Sequence, residues 1–221
     1  MYIERRNLHE IPSDAILLSE KEVINYYYEN IFKIMDKKIT WPFTYGLAGS
    51  NIVAFGTNWL IMSYFRSRLR LQNRAKIISG IVFVGIPSMF SYFYHIQYIQ
   101  PEIFLQKRCI TCVHMKAIIF QNLFGVGYSM TGGALISMMT AYMNFTYPVP
   151  GFLNKEELKG SLKLYMKFIK RIPLKILVFI LLNSATITLI TNAEYKNFAK
   201  LNEILRRQDE HLRDLVTQYN S

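Results

Sequence analysis

Between Lys116 and Lys155 the chain runs for 38 residues without a Lys, Arg, Asp or Glu, and its core reads AIIFQNLFGVGYSMTGGALISMMTAYM over residues 117–143. A helix of about 20 apolar residues crosses a bilayer. Two further charge-free gaps, of 27 residues from Lys38 to Arg66 and of 25 from Lys76 to Glu102, also exceed that length. A fourth, 22 residues from Arg171 to Glu194, is interrupted only by Lys175, which lies near enough to a helix end to snorkel toward the headgroups. Backbone groups in lipid must be satisfied within the segment, which excludes open strands. The expected fold class is therefore all-α: a polytopic membrane protein with four transmembrane helices in a bundle and amphipathic N- and C-terminal helices.

The spans are placed at about 43–65, 77–99, 117–143 and 174–193 within a transmembrane domain of residues 43–193. A polar N-terminal segment, 1–42, precedes it and an amphipathic tail, 194–221, follows. Over the whole chain of 221 residues, 51% are apolar, 14% aromatic and 19% charged. Such a composition excludes a disordered chain and a disulfide-stapled mini-domain.

The first 42 residues hold six Lys/Arg and seven Asp/Glu, unlike an Arg-rich, acid-poor transit peptide, and no secretory signal is expected. Ser19 and Glu22 have the spacing of a capping box, so a helix is expected to start there and carry an apolar face through Ile24, Tyr27, Ile31, Ile34 and Met35. It either lies on the membrane surface, as Tyr26, Tyr27, Tyr28, Trp41 and Phe43 favour, or leads as a solvated helix into the first span. In the tail, Leu201, Ile204, Leu205, Leu212 and Leu215 recur at helical intervals. That pattern suits a partner-binding or interfacial helix, or a solvated extension of the fourth span.

The loop 66–76 contains Arg66, Arg68, Arg70, Arg74 and Lys76 and no acid, and the loop 144–171 adds six Lys/Arg against two Glu. Four spans put both loops on one side, and their charge density makes that the inside, with both termini outside. Most of the net charge of +11 resides in these loops. Basic loops beside spans act as topology determinants and contacts for anionic lipid, so no nucleic-acid role is expected. The sequon Asn144-Phe145-Thr146 falls on the same inner side.

Within the spans, Gly125, Ser129, Gly133, Ser137 and Ala141 follow one another every four residues, as do Gly46, Ser50, Ala54 and Asn58. Small residues at this spacing let helices approach closely in lipid. Gly46, Ser50, Ala54, Gly125, Ser129, Gly133 and Ser137 thus form a helix-packing or partner interface. The expected spans contain no Asp, Glu or Arg, which disfavours ion transport. Asn51, Asn58, Gln121, Asn122 and Asn183 are expected to hydrogen-bond between helices, and Pro87 to kink the second span.

The two cysteines, in Cys109-Ile110-Thr111-Cys112 ahead of the third span, allow several readings. A structural disulfide, a pair of reduced thiols, a redox centre and a metal site completed by His114, His95 or a second chain all remain open. No nucleophile elbow, phosphate loop, zincin or dinucleotide motif is present, so no catalytic, cofactor-binding or metal residues are assigned and no enzyme or cofactor is expected.

The order of these parts resembles the transmembrane protein 126 family. The features are a polar N-terminal helix, a small-residue-rich first span, a basic linker, Gly85-Ile86-Pro87 and the Cys-x-Thr-Cys loop. The basic stretch 167–171 with Pro173, and then Glu194-Tyr195-Lys196, complete the match. The likeness covers about residues 20–200.

It implies a non-catalytic mitochondrial inner-membrane scaffold that assists assembly of the membrane arm of respiratory complex I. The termini would lie in the intermembrane space, the basic loops in the matrix and the cysteines as a disulfide on the oxidising side. The implied partners are complex I membrane subunits and three assembly factors: acyl-CoA dehydrogenase family member nine, the evolutionarily conserved signalling intermediate in Toll pathways, and a complex I intermediate-associated protein. Two rival readings are a four-span subunit of an inner-membrane protein translocase and a redox or metal membrane protein built on Cys109 and Cys112.

Overall fold

Long uncharged stretches without competing strand pairing fold as helices, and in the computed structural model every regular element among the described residues is helical. The structure describes residues 18–33, 37–73, 75–106, 108–152 and 154–220, with side chains up to 211 apart from that of Phe32. In chain order the helices are α1 (Glu20–Lys33), α2 (Lys37–Thr40), α3 (Leu47–Arg68), α4 (Lys76–Leu105), α5 (Ile110–Met143), α6 (Lys155–Ile169) and α7 (Pro173–Asn220).

Three of them, α4, α5 and α7, are long and apolar enough to cross a membrane. The expected first span corresponds to α3 and the turn Pro42–Gly46 before it. It is less apolar because it packs against α4, α5 and α7 at once, and its inward positions are Ser50, Ala54, Thr57 and Asn58. Its outward positions, Ile52, Phe55, Trp59 and Leu60, are exposed and apolar like those of the other three helices.

Both prolines inside α4 follow a widened, π-helical turn, Ile81–Gly85 before Pro87 and His95–Ile99 before Pro101. Such a turn relaxes the hydrogen-bond ladder where proline lacks its donor, so the helix continues through the position expected to kink. α5 contains two more, Leu123–Gly127 and Ser129–Gly133, along its glycine-rich stretch.

The interior has three layers. One apolar cluster gathers Tyr27, Phe43, Ile103, Phe104, Phe198, Leu201 and Leu205, and another gathers Ile61, Phe65, Leu69, Met130, Met138 and Phe168. Between them lies a polar band described below.

The terminal helices pack on one another within the chain. The capping box forms as read: Ser19 N and Oγ donate to Glu22 Oε2 at 2.7 Å each, and Glu22 N donates to Ser19 Oγ at 3.4 Å. The helix it starts packs one face inside the chain. Tyr27 and Ile31 are buried, with the Tyr27 ring 5.6 Å from that of Phe104 and 4.9 Å from that of Phe198. Ile34 and Met35 lie outside the described residues, as do residues 1–17.

The tail is continuous with the fourth span, because no Gly or Pro interrupts residues 174–220. At 1.5 Å per residue its 48 residues extend about 70 Å, far beyond a bilayer's hydrocarbon core of about 30 Å. Its apolar positions Leu201 and Leu205 are buried in the same cluster as Tyr27 and Ile31 of α1, which uses that face inside the chain. The side chains of Leu212 and Leu215 lie outside the described residues.

The segment 144–171, read as a loop, contains the amphipathic α6. Tyr165 Oη donates to the Met130 carbonyl at 3.0 Å and Tyr64 Oη to the Phe168 carbonyl at 3.1 Å, so α6 is fixed across α5 and the end of α3. Thr146 Oγ1 donates to the Leu69 carbonyl at 3.1 Å, which places the loops 66–76 and 144–171 at one end of the bundle.

Candidate functional site

Asn183 of α7 sits opposite the small residues of α3 and α5, where absent side chains leave room for its amide. Its Nδ2 donates to Thr57 Oγ1 at 3.1 Å, and its Oδ1 accepts from Gln121 Nε2 at 3.3 Å. Gln121 Nε2 also donates to the Ser50 carbonyl at 3.2 Å, and Gln121 Oε1 accepts from Ser91 Oγ at 2.6 Å. Thr57 Oγ1 donates to the Gly125 carbonyl at 2.9 Å and Asn58 Nδ2 to the Phe124 carbonyl at 2.9 Å. This network joins α3, α4, α5 and α7 in one buried band.

Each side-chain amide there does what was expected of it, and Asn122 donates to Ser184 Oγ at 2.7 Å besides. The Oδ1 atoms of Asn51, Asn58 and Asn122 are buried without a hydrogen-bond partner. In lipid such bonds contribute on average about 0.6 kcal/mol each, so the band acts through number and position rather than individual strength.

The two small-residue stripes face into the same interior. Gly46, Ser50, Ala54, Gly125, Ser129, Gly133 and Ser137 are all buried. A Cβ on Gly125 would lie 2.7 Å from Asn183 Oδ1 and 3.5 Å from the Ala54 Cβ, and one on Gly133 would lie 3.2 Å from Met62 Sδ. Ser129 Oγ donates to the Phe83 carbonyl of α4 at 2.7 Å. Both stripes are thus occupied by packing within the chain, and the surface left for a partner is the outer apolar face.

At the end carrying α1, a second polar group is enclosed. Glu194 and His95 are buried, with Glu194 Oε2 2.8 Å from His95 Nε2, and Gln100 Nε2 donates to Glu194 Oε1 at 2.8 Å. Tyr28 Oη donates to Gln100 Oε1 at 3.0 Å and to the Ile96 carbonyl at 2.9 Å. Burial, and then the Glu194 carboxylate, hold the Tyr28 hydroxyl protonated well above the ordinary tyrosine range. Sequence reasoning named His95 as a possible metal ligand and Glu194 as a boundary and part of the Glu194-Tyr195-Lys196 stretch, and did not pair them. Their available signal was one histidine in an apolar span and one acid at the end of another.

Cys109 and Cys112 form a disulfide with Cα atoms 5.4 Å apart. Cys109 occupies the N-cap of α5, its Sγ accepting from Cys112 N at 3.3 Å, and both cysteines are exposed. His114 Nε2 is buried without a hydrogen-bond partner, and among the described residues no group of three or more His, Cys, Asp or Glu could hold a metal ion.

At the opposite end Arg66, Arg70 and Lys76 surround a cleft between α3 and α4. Arg66 is buried and donates to Ser79 Oγ and to the Gln72 carbonyl, each at 2.9 Å. Arg68 points elsewhere, its guanidinium 5.4 Å from the Tyr64 ring centroid. Arg74 lies outside the described residues.

No family model matches the chain, and no solved structure does. It is 25% identical over 219 residues to Transmembrane protein 126 of Drosophila melanogaster, an alignment covering 96% of this chain and 97% of the relative. The chain is a transmembrane protein 126 homologue. The likeness extends past the stretch 20–200 to both terminal regions, so a transmembrane protein 126 relative carries its sequence similarity through α1, the spans and the long α7 alike. With three helices apolar enough to cross lipid, it is a membrane protein of the transmembrane protein 126 kind.

Proposed function

We propose that the protein is a multi-pass component of the mitochondrial inner membrane, without catalytic residues of its own, that assists assembly of the membrane arm of respiratory complex I. The observation that carries this reading is the full-length likeness to Transmembrane protein 126, since that family's expected role is complex I assembly. The molecule's interior supports a scaffold over a transporter. Its central amides are engaged in helix-to-helix hydrogen bonds, and its outward surfaces on α4, α5 and α7 are apolar.

In this reading α3 is the fourth span, since its outer face is apolar and no charge precedes Arg66 within it. The end bearing Arg66, Arg70 and Lys76 faces the matrix, and the Cys109–Cys112 disulfide faces the oxidising intermembrane space. Partners are complex I membrane subunits and their assembly factors, docking on the outer apolar faces because the small-residue stripes are filled. The test is proteomics of the protein captured from digitonin-solubilised mitochondria. Recovery of complex I membrane subunits with assembly factors is expected, whereas import-channel subunits in their place would favour a translocase.

A second reading rests on the exposed disulfide at the N-cap of α5. A redox protein would exchange that disulfide with partner thiols during turnover, and mixed disulfides trapped through Cys109 or Cys112 would favour it.

A further inference from the structure

The cleft between the C-terminal end of α3 and the N-terminal end of α4 has the shape and chemistry of an amphiphile site. Its volume is about 380 Å³, inside the range of roughly 300–1,000 Å³ usual for small-ligand clefts. Arg66, Arg70 and Lys76 line one part of it, and Trp59, Met62 and Gly80 line another. Trp59 precedes Arg66 by seven residues, two helical turns, which sets its Cα about 10 Å further along α3 toward the apolar part.

The cationic part is built rather than incidental. Arg66 is buried and fixed by Ser79 and the Gln72 carbonyl, while Arg70 and Gln72 take left-handed backbone conformations, φ 53° and 47°, that turn the chain back over the cleft. Among the described residues neither Arg70 nor Lys76 makes an ion pair, and the segment 66–76 contains no acid. Lys76 Nζ lies 5.9 Å from the Trp59 ring centroid. A Cβ on Gly80 would lie 3.5 Å from that ring, an ordinary contact distance, so the indole lies directly against this turn of α4.

The surroundings match a lipid source. Ile77 and Ile81, next to the cleft, are exposed, as chain-contacting residues at a bilayer edge would be. At the same end α6 exposes Leu158, Leu162 and Met166 along one strip and Lys155, Lys159, Lys163 and Lys167 beside it. A helix with that division lies in an anionic membrane interface.

We propose that this cleft binds the phosphate headgroup of an anionic phospholipid, with Arg66, Arg70 and Lys76 around the phosphate and the acyl chains descending past Trp59. This inference does not depend on the assembly role. A soluble phosphate would use the cations and leave the indole end empty.

The test uses the full-length protein carrying Trp41→Phe, which makes Trp59 the sole tryptophan, in phosphatidylcholine nanodiscs doped with brominated phosphatidylglycerol. Trp59 fluorescence should be quenched saturably, and by a far smaller fraction of brominated phosphatidylglycerol than of brominated phosphatidylcholine. Arg70→Gln and Lys76→Gln should each weaken the preference about fivefold, at about 1 kcal/mol per cation near the headgroups, whereas Arg68→Gln should leave it intact. If one of these two variants fails to fold, the other carries the comparison. Equal quenching by the two lipids, or an unchanged preference in both single variants, would overturn the proposal. Relief of quenching by inorganic phosphate would overturn it in favour of a soluble anion.

Discussion

Glu194 Oε2 lies 2.8 Å from His95 Nε2, with both side chains buried, and this contact joins the end of the apolar part of α7 to α4 across 99 residues of sequence. Through Gln100 it reaches Tyr28, so a single carboxylate ties α1 to two membrane-crossing helices. Replacing Glu194 with Ala leaves the His95 and Gln100 nitrogens without their acceptor. A loss of about 2–4 kcal/mol is expected, with Glu194→Gln milder because an amide oxygen still accepts. Thermal unfolding in detergent measures the order, and equal melting of wild type and Glu194→Ala would deny the contact any structural role.

The same group sets a pH dependence. With its hydroxyl pKa raised in the folded state, Tyr28 ionises first in the unfolded chain, whose free energy then falls relative to the fold. Its contribution is intact below the ordinary tyrosine pKa of about 10 and declines as pH rises above it. Tyr28→Phe loses two hydrogen bonds at neutral pH, yet its stability should fall less steeply in alkali, by about 1.4 kcal/mol per pH unit. Parallel alkaline curves would contradict this.

Gly125 and Gly49 form a contrasting pair. Alanine at Gly125 would press on Asn183 Oδ1, while at Gly49 nothing lies within 4 Å. Gly125→Ala is expected to destabilise by about 1–3 kcal/mol through overpacking. Gly49→Ala should be neutral or stabilising by up to about 1 kcal/mol through helix propensity. Fluorescence-detected size exclusion after heating ranks the two, and the reverse order would contradict the packing described for α3, α5 and α7.

The disulfide predicts a labelling pattern. Iodoacetamide applied to the protein extracted without reductant should add no mass, and after reduction it should add to both Cys109 and Cys112. Because the bridge closes only one turn at the start of α5, changing both to serine should leave the helices' assembly intact. Full labelling before reduction would return the pair to the free-thiol reading.

The gaps in charge made the membrane-crossing helices legible, because in lipid an uncharged stretch of sufficient length has few other fates. They did not mark where helices end. Glu102 and Lys116 lie inside α4 and α5, paired with one another, since charge records the edge of lipid and a helix continues into water beyond it. The small-residue stripes showed that α3 and α5 approach closely. They left open whether the neighbour belongs to the same chain, and the interior placement of Gly125 against Asn183 answers that. Hidden from sequence were the pairings of distant singles: Tyr27 with Phe198, and His95 with Glu194. The amphipathic faces of α1 and of the tail were visible, but no local pattern says that two such faces cover one another. α6 was obscured by its lysines, which read as loop charge.

The most direct test of the assembly role is a native-gel profile of complex I from cells depleted of this protein, with and without re-expression. The account predicts loss of mature complex I with accumulation of membrane-arm intermediates, both reversed on re-expression. A full complement of mature complex I in depleted cells, with no stalled intermediate, would contradict it.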